Sequence, residues 1–168
     1  EQGKLYVEIK VERTLHKSKM TQWIGLKKDA KTITFRTKID WQEKQKLLKV
    51  GFSVNVTTDE LISEIQYGYV KRSNHKSRQY DRDRFEVCNH RWSALTESGR
   101  GCAILNDSKY GISCEGSHME LTLLKSATFP DESADIGIQE FTYAFSIWNT
   151  PLIASEVVKQ AYELNVAP

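Results

Sequence analysis

Strict alternation of apolar and polar residues, repeated in segment after segment, is the feature that most restricts what this chain can become. Near the start, Leu5, Val7, Ile9 and Val11 fall on one side and Glu8, Lys10 and Glu12 on the other, in a segment running over 4–13. Ile33, Phe35, Thr37 and Ile39 oppose Thr34, Arg36 and Lys38 in the same way. Leu48, Val50, Phe52, Val54 and Val56 do so against Lys49, Gly51, Ser53 and Asn55. A period of two with one apolar face is the pattern of a half-buried strand, not of a helix. Residues 20–26, Ile65 with Tyr67 and Tyr69, residues 102–105, Met119 with Leu121 and Leu123, and Phe141, Tyr143, Phe145 and Ile147 extend the series.

The connections are less uniform. Lys27-Lys28-Asp29-Ala30 predicts a hairpin between the second and third segments. Asp40-Trp41-Gln42-Glu43 reads two ways. An Asp with Glu three residues on makes a capping box for a short helix, whereas the alternation resuming at Leu48 favours extended chain. Between residues 71 and 84, Lys71, Arg72, Lys76, Arg78, Arg82 and Arg84 are balanced only by Asp81 and Asp83. Basic residues around Tyr80 suit a phosphate backbone; a Ser- and Asn-rich solvated loop is the simpler reading. Helical spacing occurs once, at the end. Thr150 is placed to cap, Pro151 to occupy the first turn, and Ala154, Val157, Val158, Ala161 and Leu164 to form one face. Many strands and one C-terminal helix predict an all-β fold: a large antiparallel β-sandwich, a single domain over residues 1–168.

Within that pattern one stretch is out of place. Ile104-Leu105-Asn106-Asp107-Ser108-Lys109-Tyr110-Gly111 sets a polar, turn-forming run between two apolar segments. A core has no use for these side chains, so the run reads as a loop that presents them to something. Chemistry elsewhere is sparse. The histidines, His16, His75, His90 and His118, are scattered without metal-ligand spacing, and Cys88, Cys102 and Cys114 form neither a zinc framework nor an even disulfide set. Free thiols point to a reducing compartment, the cytoplasm, and to cysteines used as small apolar fillers. A net charge of +2 gives no global case for nucleic acid or membrane, and no apolar run reaches the length of a membrane span. His90-Arg91-Trp92 reads either as a recognition corner or as a core Trp with polar neighbours binding a loop. On these grounds the chain predicts a sugar-binding or accessory β-domain with no catalytic residues and no metal ligands of its own.

Several ordered motifs add a family resemblance. Ile39-Asp40-Trp41 followed by Lys46-Leu47-Leu48-Lys49-Val50, then Arg84-Phe85-Glu86-Val87, His90-Arg91-Trp92, the stretch from Leu105 to Gly111, Leu124-Lys125-Ser126 with Pro130-Asp131, and Glu140-Phe141-Thr142-Tyr143-Ala144 resemble the α-mannosidases of glycoside hydrolase family thirty-eight, of bacterial and cytosolic type. The resemblance implies the main C-terminal sandwich of such an enzyme, a galactose-mutarotase-like supersandwich, in a bacterial cytoplasm. It implies a parent that is a zinc-dependent retaining exo-α-mannosidase active in mannose metabolism, with the metal and the paired carboxyls (about 5 Å apart for retention) in an N-terminal catalytic domain of the same polypeptide. The ends of the chain accordingly read as cut from something longer. Partners implied are an α-mannoside and that catalytic domain, with neither nucleic acid nor membrane, and a parent able to form homo-oligomers. Matching positions nominate Asn106, Asp107, Lys109, Tyr110 and Gln139 as residues at the substrate rim. Relatives often carry His where Gln139 stands; Gln hydrogen-bonds a hydroxyl but does not titrate. Three alternatives stay open: a free-standing carbohydrate-binding module, a purely structural interaction domain with no sugar contact, and a family member specific for another mannoside such as mannosylglycerate.

Overall fold

Alternation becomes antiparallel pairing along nearly the whole chain. The computed structural model describes residues 5–166; Lys4, at the start of the first alternating segment, and Ala167 and Pro168, at the end of the closing run, lie outside the described residues. Strands β1 (Tyr6–Leu15), β2 (Ser18–Lys27) and β3 (Thr32–Trp41) form a meander in which Ile9 faces Ile24, and Ile24 faces Phe35. There follow β4 (Leu48–Ser53), β5 (Glu60–Ile65), β6 (Gly68–Ser73), a one-turn helix α1 (Gln79–Asp83) and a short β7 (Val87–Cys88). Next come β8 (Trp92–Glu97), β9 (Arg100–Asn106), β10 (Gly111–Glu115), β11 (His118–Leu124) and β12 (Gly137–Trp148). A 3-10 turn (Leu152–Ala154) and helix α2 (Val157–Asn165) close the described chain.

These strands make two sheets. One has eight strands in the order β1-β2-β3-β12-β9-β8-β5-β6, the other four in the order β4-β11-β10-β7. The main core lies between them, where Ile39, Leu61, Leu95, Ile104, Phe141 and Tyr143 of the large sheet meet Ile112, Met119 and Leu121 of the small one. Phe52 of the small sheet stacks on Phe145 of the large one at 4.6 Å, tying the two sheets together, while Phe35 stacks on its cross-strand neighbour Tyr143 at 4.9 Å. A polar bond is buried in this layer: Gln22 Nε2 donates to Tyr143 Oη at 2.9 Å and to Thr37 Oγ1 at 3.0 Å. A second core lies on the opposite face of the large sheet. Ala94, Ala103 and Ala144 keep that face shallow, so α2 can lay Val157 and Ala161 directly on it.

The structure departs from the sequence expectations in three places and decides a fourth that the sequence left open. The terminal helix does not start at Pro151, which only caps the 3-10 turn, and Thr150 is not its N-cap. Ser155 is extended (φ −79°, ψ 157°), which breaks the helix until Val157. Gln66 and Tyr67 do not continue a strand; Tyr67 takes a left-handed φ of 66° and folds β5 back on β6. Residues 71–84 are not one loop, since β6 and α1 take most of them. Asp40 and Trp41 finish β3, and Glu43 turns back so that its Oε1 accepts from Lys17 N at 2.8 Å, which resolves the ambiguity there against a capping box.

One face is also left uncovered. Four strands cannot blanket eight, and the inner apolar face of β1 and β2 extends past the small sheet. Val7 is 42% and Ile9 60% exposed, with Leu26 and Ile33 exposed beside them.

Candidate functional site

The polar octad is the corner at which the chain leaves one sheet for the other. β9 ends in the eight-stranded sheet at Asn106, and β10 begins in the four-stranded sheet at Gly111. A sheet-switching corner strips backbone groups of their ladder partners, and those groups must be paired some other way. Asn106, fully buried, does much of this: its Nδ2 donates to His90 O at 2.8 Å and its Oδ1 accepts from Lys109 N at 2.7 Å. Its backbone N donates to Arg91 O at 3.0 Å, and its carbonyl accepts from Asn165 Nδ2 at 2.9 Å, which ties α2 to the corner. Asp107 continues the ladder by side chain. Its N donates to Thr142 O at 3.1 Å, and its Oδ2 accepts from Thr142 N at 2.7 Å, so β12 meets a strand mimic where β9 has ended. Its other oxygen accepts from Ser108 Oγ at 2.8 Å. With its amide oriented to satisfy its neighbours, buried Asn89 donates to Lys109 O at 3.1 Å and to Tyr110 O at 3.2 Å. Gly111 closes the corner because a Cβ there would press on the Glu86 carboxylate and on Thr122 Cβ at 3.2 and 3.3 Å.

Held in this way, the corner presents Lys109 and Tyr110. The Lys109 amine lies 4.4 Å over the Phe141 ring. Burial pushes its pKa below the ordinary lysine value, with Asp135 and Asp107 pulling the other way. Asp135 itself sits in a left-handed turn (φ 64°), a conformation Asp tolerates better than most residues, and its Oδ2 accepts from Lys125 N at 2.8 Å and Ser126 N at 2.9 Å. Gln139 Nε2 donates to Asp135 O at 3.3 Å. Lys109, Asp135 and Gln139 therefore belong to one region at the start of β12. Tyr110 is half exposed and turned to another neighbour, its ring 5.8 Å from that of His90.

His90 and Arg91 lead to the residue that sequence reasoning missed. Glu64, buried on β5, accepts from Arg91 NH2 at 2.6 Å and from Arg91 Nε at 3.0 Å, a bidentate pair. It also accepts from Arg91 N at 2.9 Å, and His90 Nδ1 lies 3.7 Å from it. The guanidinium is held charged, chiefly by its hydrogen bond to Glu64. Glu64 thus fixes the carbonyls of His90 and Arg91 that Asn106 reads. The sequence signal for it was a Glu in the interior of β5, visible only once β5 and β8 are known to be neighbours. Thr142 and Asn165 were missed for the same reason.

The region supplies hydrogen-bond donors and acceptors of the kind that grip hydroxyls: an amine, a phenol and an amide. It supplies no free carboxylate pair, since both oxygens of Asp107 are engaged within the chain. Among the described residues no group of three His, Cys, Asp or Glu side chains is placed to hold a metal ion, so zinc does not fit here and no step is routed through it. Burial raises the Cys102 and Cys114 thiols to about 11 and about 12, which leaves both protonated and unreactive; Cys88 is exposed rather than a filler. No helix among the described residues is long and apolar enough to cross a membrane.

Known proteins share both the fold and the sequence. An alpha-mannosidase of Enterococcus faecalis superposes with a TM-score of 0.78 over 86% of this chain and 17% of its own, at 19% identity, a likeness of fold. A Klebsiella pneumoniae protein of the aldose 1-epimerase type superposes at 0.52 over 96% of this chain and 55% of its own, at 6% identity, which places the open sandwich among mutarotase-like folds. Alpha-mannosidase 2C1 of Homo sapiens is 40% identical over 148 residues, 88% of this chain, while the chain spans 14% of that relative's length. The model of the glycosyl hydrolases family 38 C-terminal domain matches residues 1–133. With the octad corner, the uncovered strand face and these likenesses together, the chain belongs to glycosyl hydrolase family 38, as its C-terminal domain.

Proposed function

We propose that this domain serves a zinc-dependent retaining exo-α-mannosidase of the cytoplasm, in which another part of the same polypeptide holds the metal and the two reacting carboxyls. The observation that carries the reading is the family match over residues 1–133 in a chain that spans only 14% of a curated alpha-mannosidase. Two physical features support it. In the octad region both oxygens of Asp107 are engaged within the chain, whereas a retaining hydrolysis needs two available carboxyls about 5 Å apart. It also exposes an apolar strand face at Val7, Ile9, Leu26 and Ile33, which suits contact with a larger body. In this reading Lys109, Tyr110 and Gln139 border the sugar, while Asn106 and Asp107 hold the corner that sets them there.

Turnover of an aryl α-mannoside with added zinc tests it. The 168-residue chain is expected to show none, and the natural full-length protein to show ready hydrolysis; turnover by the short chain alone would overturn the assignment. In the full-length protein, Lys109→Met and Tyr110→Ala are expected to lower kcat/KM by about tenfold, roughly 1.4 kcal/mol each. Lys28→Ala, on the exposed β2–β3 turn, serves as the unchanged control. Wild-type kinetics in both variants would reduce the octad to a structural corner. Calorimetry addresses the alternative of a carbohydrate-binding module: binding of a simple mannoside by the short chain at millimolar affinity or tighter would favour it.

A further inference from the structure

The basic stretch between residues 71 and 84 has no part in the octad region, yet it walls a cavity of its own. That cavity measures about 700 Å³, within the range of small-molecule sites, and lies between β6 with α1 on one side and β10 on the other. Its apolar lining comes from Leu61, Val70, Val87 and Ile112.

Arg72 is the anomaly in it. Its cross-strand partner is Leu61, a residue of the main core, so the side chain leaves β6 on the apolar face. A guanidinium carries five N–H donors. Among the described residues its one side-chain partner is Cys88 Sγ, a weak acceptor 3.8 Å from NH2, and NH1 is buried with no partner at all. Leaving a charged donor in that state is costly unless something else satisfies it.

The lysines of the cavity are neutralised within the protein. Lys71 pairs with Glu60 at 2.9 Å, Lys76 with Glu115 at 2.6 Å, and Lys49 with Glu120 at 3.4 Å and Glu86 at 3.5 Å. The remaining acid, Asp81, accepts from Arg78 N at 3.0 Å. Arg84 lies 5.2 Å over the Tyr80 ring, a contact that uses the face of the guanidinium and leaves its N–H edge available, and among the described residues no carboxylate pairs with it. Two arginines therefore line one cavity without acids of their own.

We propose that this cavity binds a small ligand bearing an oxyanion, a phosphate or carboxylate gripped by Arg72 and Arg84, with the ligand's body against the apolar lining. Guanidinium forks match such groups in two-point geometry, and a planar donor on a low-dielectric wall binds them more strongly than a lysine on an open surface. The proposal stands on the cavity alone and does not require the mannosidase reading.

Titration of the natural full-length protein at low ionic strength with inorganic phosphate, glucose 6-phosphate and free glucose (a hexose other than mannose, so that a mannoside site does not answer), followed by calorimetry, is the test. Both phosphorylated probes are expected to bind and the free hexose is not. Equal affinity for the two assigns the site to the anion, and tighter binding of the hexose phosphate assigns the apolar lining to the sugar; either result supports the site. Arg72→Met and Arg84→Met are each expected to weaken phosphate binding by about tenfold or more. Phosphate is expected to raise the melting temperature of the wild type but not of Arg72→Met. Arg84 stands at the cavity wall outside both cores, so its variant keeps the test open should Arg72→Met misfold. Unchanged affinity in both variants, equal binding of the free hexose, or binding of an oligonucleotide without binding of the hexose phosphate would each overturn the proposal. Mannoside turnover by the full-length protein is measured separately, so failure here leaves that reading intact.

Discussion

Asn106→Ala is expected to cost about 3 kcal/mol of folding stability, seen as a lower urea midpoint at unchanged slope. The size follows from what the alanine leaves behind. His90 O loses the donor at 2.8 Å and Lys109 N loses the acceptor at 2.7 Å, both at a side chain with no solvent exposure. Each orphaned buried group costs on the order of 1–3 kcal/mol, and no water enters unless the corner opens. Opening would release Lys109 and Tyr110 from their places, so in the full-length protein activity should fall along with stability. A loss below about 1 kcal/mol would mean that the flanking strands hold the corner and that the Asn106 amide is incidental.

Glu64→Ala is expected to have a similar cost, about 3 kcal/mol, measured by the same denaturation. Removing one partner from a buried bidentate pair leaves the other charge uncompensated, although Arg91, at 28% side-chain exposure, can recover some hydration. Arg91 NH2 loses a bond of 2.6 Å, and its backbone N loses one of 2.9 Å. The disturbance should travel, because Arg91 O and His90 O are the groups bound by Asn106. Glu64→Gln, which keeps an acceptor but loses the charge, should fall between wild type and alanine. If Glu64→Ala and Glu64→Gln lose equally little, the pair is an ornament of the surface and the chain from β5 to the octad is broken.

The separate effects share one physical cause. The octad is a place where the chain changes sheets, and its backbone is satisfied by side chains drawn from distant positions: Asn165 from α2, Thr142 from β12, and Glu64 through Arg91. The residues able to meet a ligand, Lys109 and Tyr110, are those left over when this pairing is complete.

Much of this was legible before the fold was known. Alternation at Ile33, Phe35, Thr37 and Ile39 encodes the inner face of β3, and the polar octad between two apolar runs encodes a loop, which the fold makes the corner between sheets. Less legible was the hairpin at Gln66 and Tyr67, because Ile65, Tyr67 and Tyr69 keep the period of two straight through a turn whose only mark is a left-handed tyrosine. The start of α2 was obscured in a similar way, since Pro151 is compatible with a first helical turn but here caps a 3-10 turn. Local pattern names the residues that share a face; it does not say where the chain reverses.

By itself, then, the sequence determined the all-β class, most strands and their faces, a polar loop within the octad at residues 104–111, and through its ordered motifs the family. Tertiary structure alone decided which faces are covered and which polar groups are used up. Val7 and Ile9 carry the same pattern as the core strands, yet remain exposed because four strands cover eight. Gln22 finds Tyr143 across 121 residues of sequence, and Arg72 finds itself on a core face beside an empty volume. The reason is that the period of a strand is a local property of side-chain direction, whereas strand order, layer overlap and partner satisfaction depend on pairings between distant segments, which only the folded chain brings into contact.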